Sequence, residues 1–208
     1  MSLQFTSLTA YAIRITWEPG TQSDPWRWQL VHALNQIEHW SANQGPYEIL
    51  VLETSGRDLS PATIRDFVLD FEPDFSLTPR THQIAVRYDV SSSDFSAVQE
   101  HTNLSTKEVI RLHTAGVYVV DMIGFLPGFP YLKGLPVELH IPRKSVPTRI
   151  NPGSIAIAGN RCGIYPRSSP GGWHVLGHTQ HVLFDPTADQ PAILQPGDQV
   201  QFVNAAEI

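Results

Sequence analysis

The 208-residue chain has one cysteine, Cys162, so no disulfide within it can staple the fold. Charge is scarce as well. Only 16% of the residues are charged, against about 25% in an average globular chain. Hydrophobic residues make up 41%, which excludes intrinsic disorder, a state of low hydrophobicity and high charge. No apolar run approaches the roughly 18 residues of a membrane span. The start, Met1-Ser2-Leu3-Gln4, lacks the basic flank and apolar centre of a secretion signal, so a cytoplasmic protein is expected. There is no Lys/Arg run and the net charge is −6, which makes general nucleic-acid binding a poor fit. Neither a G-x-x-x-x-G-K-[ST] loop nor a G-x-G-x-x-G turn after a strand occurs, so both common phosphate cradles are missing. His174 and His178 stand four apart, but in a segment that reads as strand and turn. On a strand that spacing separates them by about 13 Å, too far to share a zinc ion. Ser169 and His174 lack the strand-to-helix elbow of acyl-transfer enzymes.

What is present changes in texture along the chain. Ile13, Ile15 and Trp17 alternate with Arg14 and Thr16, the period of a half-buried strand. Asp24-Pro25 opens a helix, with Asp24 as N-cap and Pro25 in the first turn. Its apolar face is Trp26, Leu30, Ala33, Leu34, Ile37 and Trp40, and Gly45-Pro46 ends it. A strand follows over Tyr47 to Glu53, a helix from Ser60-Pro61 with Ile64, Phe67, Val68 and Phe71 on its face, and a strand from His82 to Asp89. This alternation predicts an α/β sandwich over residues 1–90. Past Ser91 a helix is expected over Phe95 to His101. Ser105 and Glu108 form a capping box for another over Thr106 to Thr114. Short β-like runs with Gly and Pro punctuation then predict a barrel or sandwich over residues 91–208, for an α+β fold overall.

Charge gathers in one place. Residues Gly124 to Gly177 hold six cations against the single acid Glu138, a net +5, so the remainder carries −11. The same stretch contains nine glycines and eight prolines. Glycine lets backbone approach a ligand closely, and proline stiffens the loop that does so. Two loops there are rich in aromatic residues. The first supplies Phe125, Gly128, Phe129 and Tyr131; the second supplies Tyr165, Arg167, Ser169, Gly172 and Trp173. Arg143 and Arg149 lie between them in rigid, proline-flanked surroundings. A pocket with aromatic walls and arginines suits a small cyclic carboxylate or an amide-bearing ring, the guanidinium gripping the carboxylate by two hydrogen bonds. The competing reading is that Phe125, Phe129, Tyr131 and Trp173 fill the barrel. Cys162 reads as a nucleophile paired with a histidine or, more commonly for such a residue, as a small core thiol.

GFLPGFPYLKGLP (124–136), PRKSVPTRINPGSIAIAG (142–159) and GIYPRSSPGGWHVLGHT (163–179) together resemble the signature of the KipI family. Its bacterial members are called allophanate hydrolase subunit 1 or the B subunit of the three-component 5-oxoprolinase, and the module also occurs in the carboxyltransferase part of urea carboxylase. The resemblance implies an N-terminal ferredoxin-like domain and a C-terminal cyclophilin-like β-barrel. The strand that a ferredoxin-like domain would still need is expected between Tyr47 and Leu59. Also implied is ATP-dependent cleavage of 5-oxoproline to glutamate, with a carboxyltransferase-like partner subunit and a lactam-opening subunit. ATP, with Mg2+, would bind either in an unfamiliar pocket of the chain or at a subunit interface. In that setting His113 is a candidate proton donor and Arg149 a candidate catalytic cation, with Arg143, Arg167 and the loop residues named above binding substrate. Two other activities occur under the same resemblance: inhibition of a sensor histidine kinase, and allophanate or urea-amide hydrolysis. The chain departs from the family at Asp89-Val90-Ser91-Ser92-Ser93-Asp94, where a glycine-rich loop is usual and only the last acid is kept, and at Cys162, where Thr is usual.

Overall fold

The computed structural model describes residues 3–76 and 78–206. It divides into two compact units, Met1–Thr78 and Pro79–Ile208.

The first unit is a four-stranded sheet with two helices. In chain order it runs β1 (Gln4–Thr9), β2 (Ala12–Thr16), α1 (Asp24–Asn35), β3 (Trp40–Gln44), β4 (Glu48–Glu53) and α2 (Pro61–Leu69). The sheet order is β1-β2-β4-β3, antiparallel throughout. Ile13 and Ile15 are fully buried while Arg14 is exposed, as the period of two requires. Helix α1 is capped by Ser23, whose side chain accepts from Trp26 N. Asp24 therefore sits inside the first turn and pairs with Arg27 rather than serving as the cap. The helix also stops well before Gly45. His39 adopts a left-handed φ of 67° and turns the chain. Asn35 then exchanges hydrogen bonds with both backbone groups of Ala42, which draws residues 40–44 into the sheet. The stretch from Tyr47 to Leu59 holds β4 alone. The strands that the sequence reading misses are β1, whose side chains are almost all exposed, and β3.

The second unit is a closed seven-stranded barrel. Its strands are β5 (Thr81–Tyr88), β6 (Val117–Ile123), β7 (Pro130–Lys133), β9 (Ser154–Ala158), β10 (Arg161–Ile164), β12 (His174–His178) and β13 (Gln199–Asn204). They close in the order β10-β7-β6-β13-β5-β12-β9. Strand β5, expected to complete the first domain, belongs here. It pairs in parallel with β13 from Thr81↔Gln199 to Val86↔Asn204. Local alternation marks a strand but says nothing about a partner more than a hundred residues away. Two helices pack on the barrel, α3 (Ser93–Thr102) and α4 (Thr106–Ala115), burying Phe95, Val98 and Val109 in its core. The Ser105–Glu108 capping box is formed as expected. A separate two-stranded antiparallel sheet pairs β8 (Thr148–Ile150) with β11 (Ser169–Gly171). Among the described residues no helix is long and apolar enough to cross a membrane.

Candidate functional site

Alternation along the barrel wall creates the site. In β9, Ile155 and Ile157 enter the barrel core while Ala156 and Ala158 belong to a second apolar cluster. Cys162 and Ile164 of β10 likewise face the core, and Leu132 of β7 joins them. The intervening Gly163 and Tyr131 face the second cluster, which Phe129, Tyr165, Trp173 and Ile150 complete. The loop aromatics therefore do not fill the barrel. They cover the outer side of its wall, over residues small enough to seat them. A Cβ on Gly163 would lie 2.7 Å from Phe129 Cζ and 3.0 Å from Trp173 Cζ3. Gly163→Ala is accordingly expected to cost about 1–3 kcal/mol by overpacking. Chemical denaturation measures this, and an unchanged midpoint would show that the rings yield freely.

The rings interlock edge to face. Phe129 meets Tyr131, Tyr165 and Trp173 at centroid distances of 4.9, 5.0 and 5.6 Å. Phe129 and Tyr165 are 1% exposed, and Trp173 6%. Phe125 differs from its neighbours. It is 60% exposed, stands edge-on to Phe129 and Tyr165, and holds a left-handed φ of 68°. A bulky residue in that conformation costs on the order of 1 kcal/mol, and such strain concentrates at functional loops.

Polar groups converge on the rim of this cluster. Arg143 lies over Trp173, with Cζ 6.0 Å from the ring centroid. Burial raises the pKa of Tyr131, and the nearby Arg143 charge opposes the rise. Burial likewise pushes Tyr165 up to about 12, helped by Tyr131 and opposed by Arg143. Both phenols keep their protons at neutral pH; Tyr165 is buried with the other rings, and Tyr131 is half-buried near the Arg143 charge. An anionic or amide oxygen is what accepts from such donors.

The structure sorts the remaining candidates. Arg149 is exposed on β8, and its Nε donates to Ser168 Oγ at 3.1 Å. Ser169 pairs with Ile150 in the two-stranded sheet, Arg167 is exposed just before β11, and Gly172 O accepts from Lys144 N. Gly128, with φ of 78°, lies against Phe184, where a Cβ would come within 2.6 Å. His113 does not join them. It is fully buried in the barrel core and stacked on Phe202, with Tyr88 Oη 2.7 Å from Nδ1 and Cys162 Sγ 3.6 Å from Nε2. Burial lowers its pKa to about 3 and drives that of Cys162 up. The two form a neutral thiol–imidazole pair sealed from solvent, and a thiolate nucleophile there is strongly disfavoured.

Two residues absent from the sequence reading of the site hold it together. Lys144 Nζ donates to both carboxylate oxygens of Asp94 and to Thr148 Oγ1, and Asp94 Oδ2 also accepts from Val175 N. Close by, His174 Nε2 donates to Pro142 O at 3.1 Å, and burial lowers its pKa. A cavity of about 290 Å³ lies elsewhere on this unit, between β5 and the 181–194 segment, and shares no residue with the aromatic site.

Residues 4–194 match the model of the carboxyltransferase domain, subdomain C and D. The chain belongs to that family. The chain is similar to the B subunit of 5-oxoprolinase from Escherichia coli O157:H7. That protein is 39% identical over 194 residues, which cover 90% of this chain and 88% of the relative. The B subunit of 5-oxoprolinase from Haemophilus influenzae is 40% identical over 156 residues, 66% of this chain and 72% of that one. Among solved structures, that of TTHA0988 is similar with a TM-score of 0.81 and 32% identity over 93% of this chain, which spans 40% of the TTHA0988 chain.

Proposed function

We propose that the chain is a subunit of an ATP-dependent 5-oxoprolinase, acting with a carboxyltransferase-like partner and a lactam-opening subunit. The observation that carries this reading is the 39% identity to a protein named as the B subunit of 5-oxoprolinase, along nearly the whole of both chains. The site's chemistry agrees with it. A five-membered lactam is resonance-stabilised and opens reluctantly. Phosphorylating its amide oxygen makes the ring carbon electrophilic. Water adds there, the C–N bond breaks as the nitrogen takes a proton, and the acyl phosphate that remains is hydrolysed to the carboxylate and phosphate. Holding such a ring calls for a flat apolar wall, a cation for its carboxylate and donors for the amide oxygen. The exposed ring of Phe125, the exposed Arg143 and the half-buried Tyr131 have those properties.

The nucleotide fits this chain poorly on its own. The sequence carries no phosphate-cradling loop, and the first turns of α3 and α4 hold their own carboxylates, Asp94 and Glu108, where a phosphate would otherwise find backbone donors. With Arg143 given to the substrate carboxylate, the exposed Arg149 and Arg167 are the cations that could meet its phosphates across a partner interface. ATP with Mg2+ is accordingly placed between subunits, and the chain alone is expected to be inactive. We also read the first unit as ferredoxin-like. Strands β2 and β3 flank β4 across helix α1, and the second edge strand comes from the N-terminal end as β1. The closed barrel we read as cyclophilin-like.

The test is glutamate release from 5-oxoproline and ATP by the three subunits together, leaving each out in turn. Release that requires this chain is expected. Arg149→Ala should lower kcat/KM about tenfold, the effect of one charge-assisted hydrogen bond. A complete, folded complex that releases no glutamate would overturn the proposal.

A further inference from the structure

We infer that Asp94 and Lys144 are positioning residues for Arg143, an inference that rests on the function proposed above. Lys144 reads in the sequence as one more cation of the basic segment. Its contacts say otherwise. An ammonium has three N–H donors. Here they face Asp94 Oδ1 at 3.1 Å, Asp94 Oδ2 at 2.9 Å and Thr148 Oγ1 at 2.7 Å. Its side chain is 14% exposed and that of Asp94 19%. The donors are engaged inside the protein and are not offered to a ligand.

The backbone of the same residue completes a clamp. Lys144 N donates to Gly172 O at 2.7 Å. Pro142 O, two residues back, accepts from His174 Nε2. Arg143 is therefore pinned on both sides against the 172–174 segment that presents Trp173, the ring beneath its guanidinium. Asp94 supplies the fixed point. It sits in the first turn of α3, and Oδ2 also accepts from Val175 N at 2.9 Å, so the carboxylate ties β12 to the ammonium. A long arginine held only by solvent loses rotamer freedom on binding an anion. One whose backbone and stacking ring are fixed beforehand loses less. Removing the carboxylate's charge leaves Lys144 largely buried without its counter-ion.

The experiment uses the three-subunit complex with Asp94→Asn, Arg143→Ala and both changes together. Asn keeps an oxygen for Val175 N but abolishes the ion pair. The KM for 5-oxoproline is expected to rise about tenfold in Asp94→Asn with kcat nearly unchanged, the size of one coupled contact. In the Arg143→Ala background the same change should add nothing further, because its effect runs through the missing arginine. Amide hydrogen exchange at Lys144, followed in the same complexes, should be faster in Asp94→Asn, and Asp94→Glu should recover part of the protection. Unchanged exchange would overturn the inference. So would a KM effect of Asp94→Asn that adds in full to that of Arg143→Ala, since a residue acting independently of Arg143 is not its positioner. Should the wild-type complex release no glutamate, the functional reading fails and exchange at Lys144 alone decides whether the clamp exists.

Discussion

Lowering the pH from about 6.5 toward about 3 should destabilise the barrel unit by about 1.4 kcal/mol per pH unit, through His113 alone. In the unfolded chain its imidazole titrates near the ordinary 6.5, whereas burial in the folded core depresses it to about 3. Between those values the unfolded state holds a proton that the folded state does not. The neutral ring's contribution is therefore complete above 6.5 and is lost progressively as the pH falls, on the order of 5 kcal/mol across the window. Placing the proton would put a charge between Tyr118, Phe202 and the Cys162 thiol, with no carboxylate among the described residues beside it. Exposed carboxylates such as Glu108 and Asp185, held low by hydrogen bonds to Ser105 and Thr187, act in the same direction at lower pH. A comparison with His113→Phe isolates the imidazole. Hydrogen exchange at barrel-strand amides, measured from about pH 8 to about pH 4, should show a steep slope in the wild type and a shallower one in the variant. Equal slopes would mean that His113 gains a proton without cost, through an opening of the core that the folded structure does not display.

His113 also shows what a sequence can and cannot reveal. It follows Val109 by four residues, so both lie on one face of α4, and its burial is readable from that spacing. Its chemical neighbours are not. Tyr88, Cys162 and Phe202 come from three strands that local patterns cannot bring together. The same division holds elsewhere. Alternating Ile and Ala in β9 marks a strand with one bulky and one small side. Only the barrel's closure shows that the small side seats Phe129 and Trp173. Strand β1 escapes notice because its side chains are mostly polar and exposed, and β5 reads as part of the wrong unit because its partner β13 follows more than a hundred residues later. At the site, the arginines and aromatic rings are legible as residue types in stiff loops. The Asp94–Lys144 pair is not, since fifty positions separate its members and both look like ordinary surface charges.

Arg143 should therefore be the most sensitive residue of the complex's substrate site. Arg143→Ala is expected to raise the KM for 5-oxoproline about a hundredfold, the loss of a charge-assisted pair to its carboxylate. The more discriminating change is Arg143→Lys. Lysine keeps the charge but presents a compact ammonium, which has no planar face to set against Trp173 and does not grip two oxygens at once. If the ring beneath Arg143 serves to orient a planar fork, lysine should recover little of the lost affinity, and Trp173→Leu should resemble it. If the cation acts only through its charge, lysine should restore most of the affinity and the indole should be dispensable. An Arg143→Ala complex with unaltered KM would move the carboxylate to another cation, and the structure offers Arg149, held by Ser168, and the exposed Arg167.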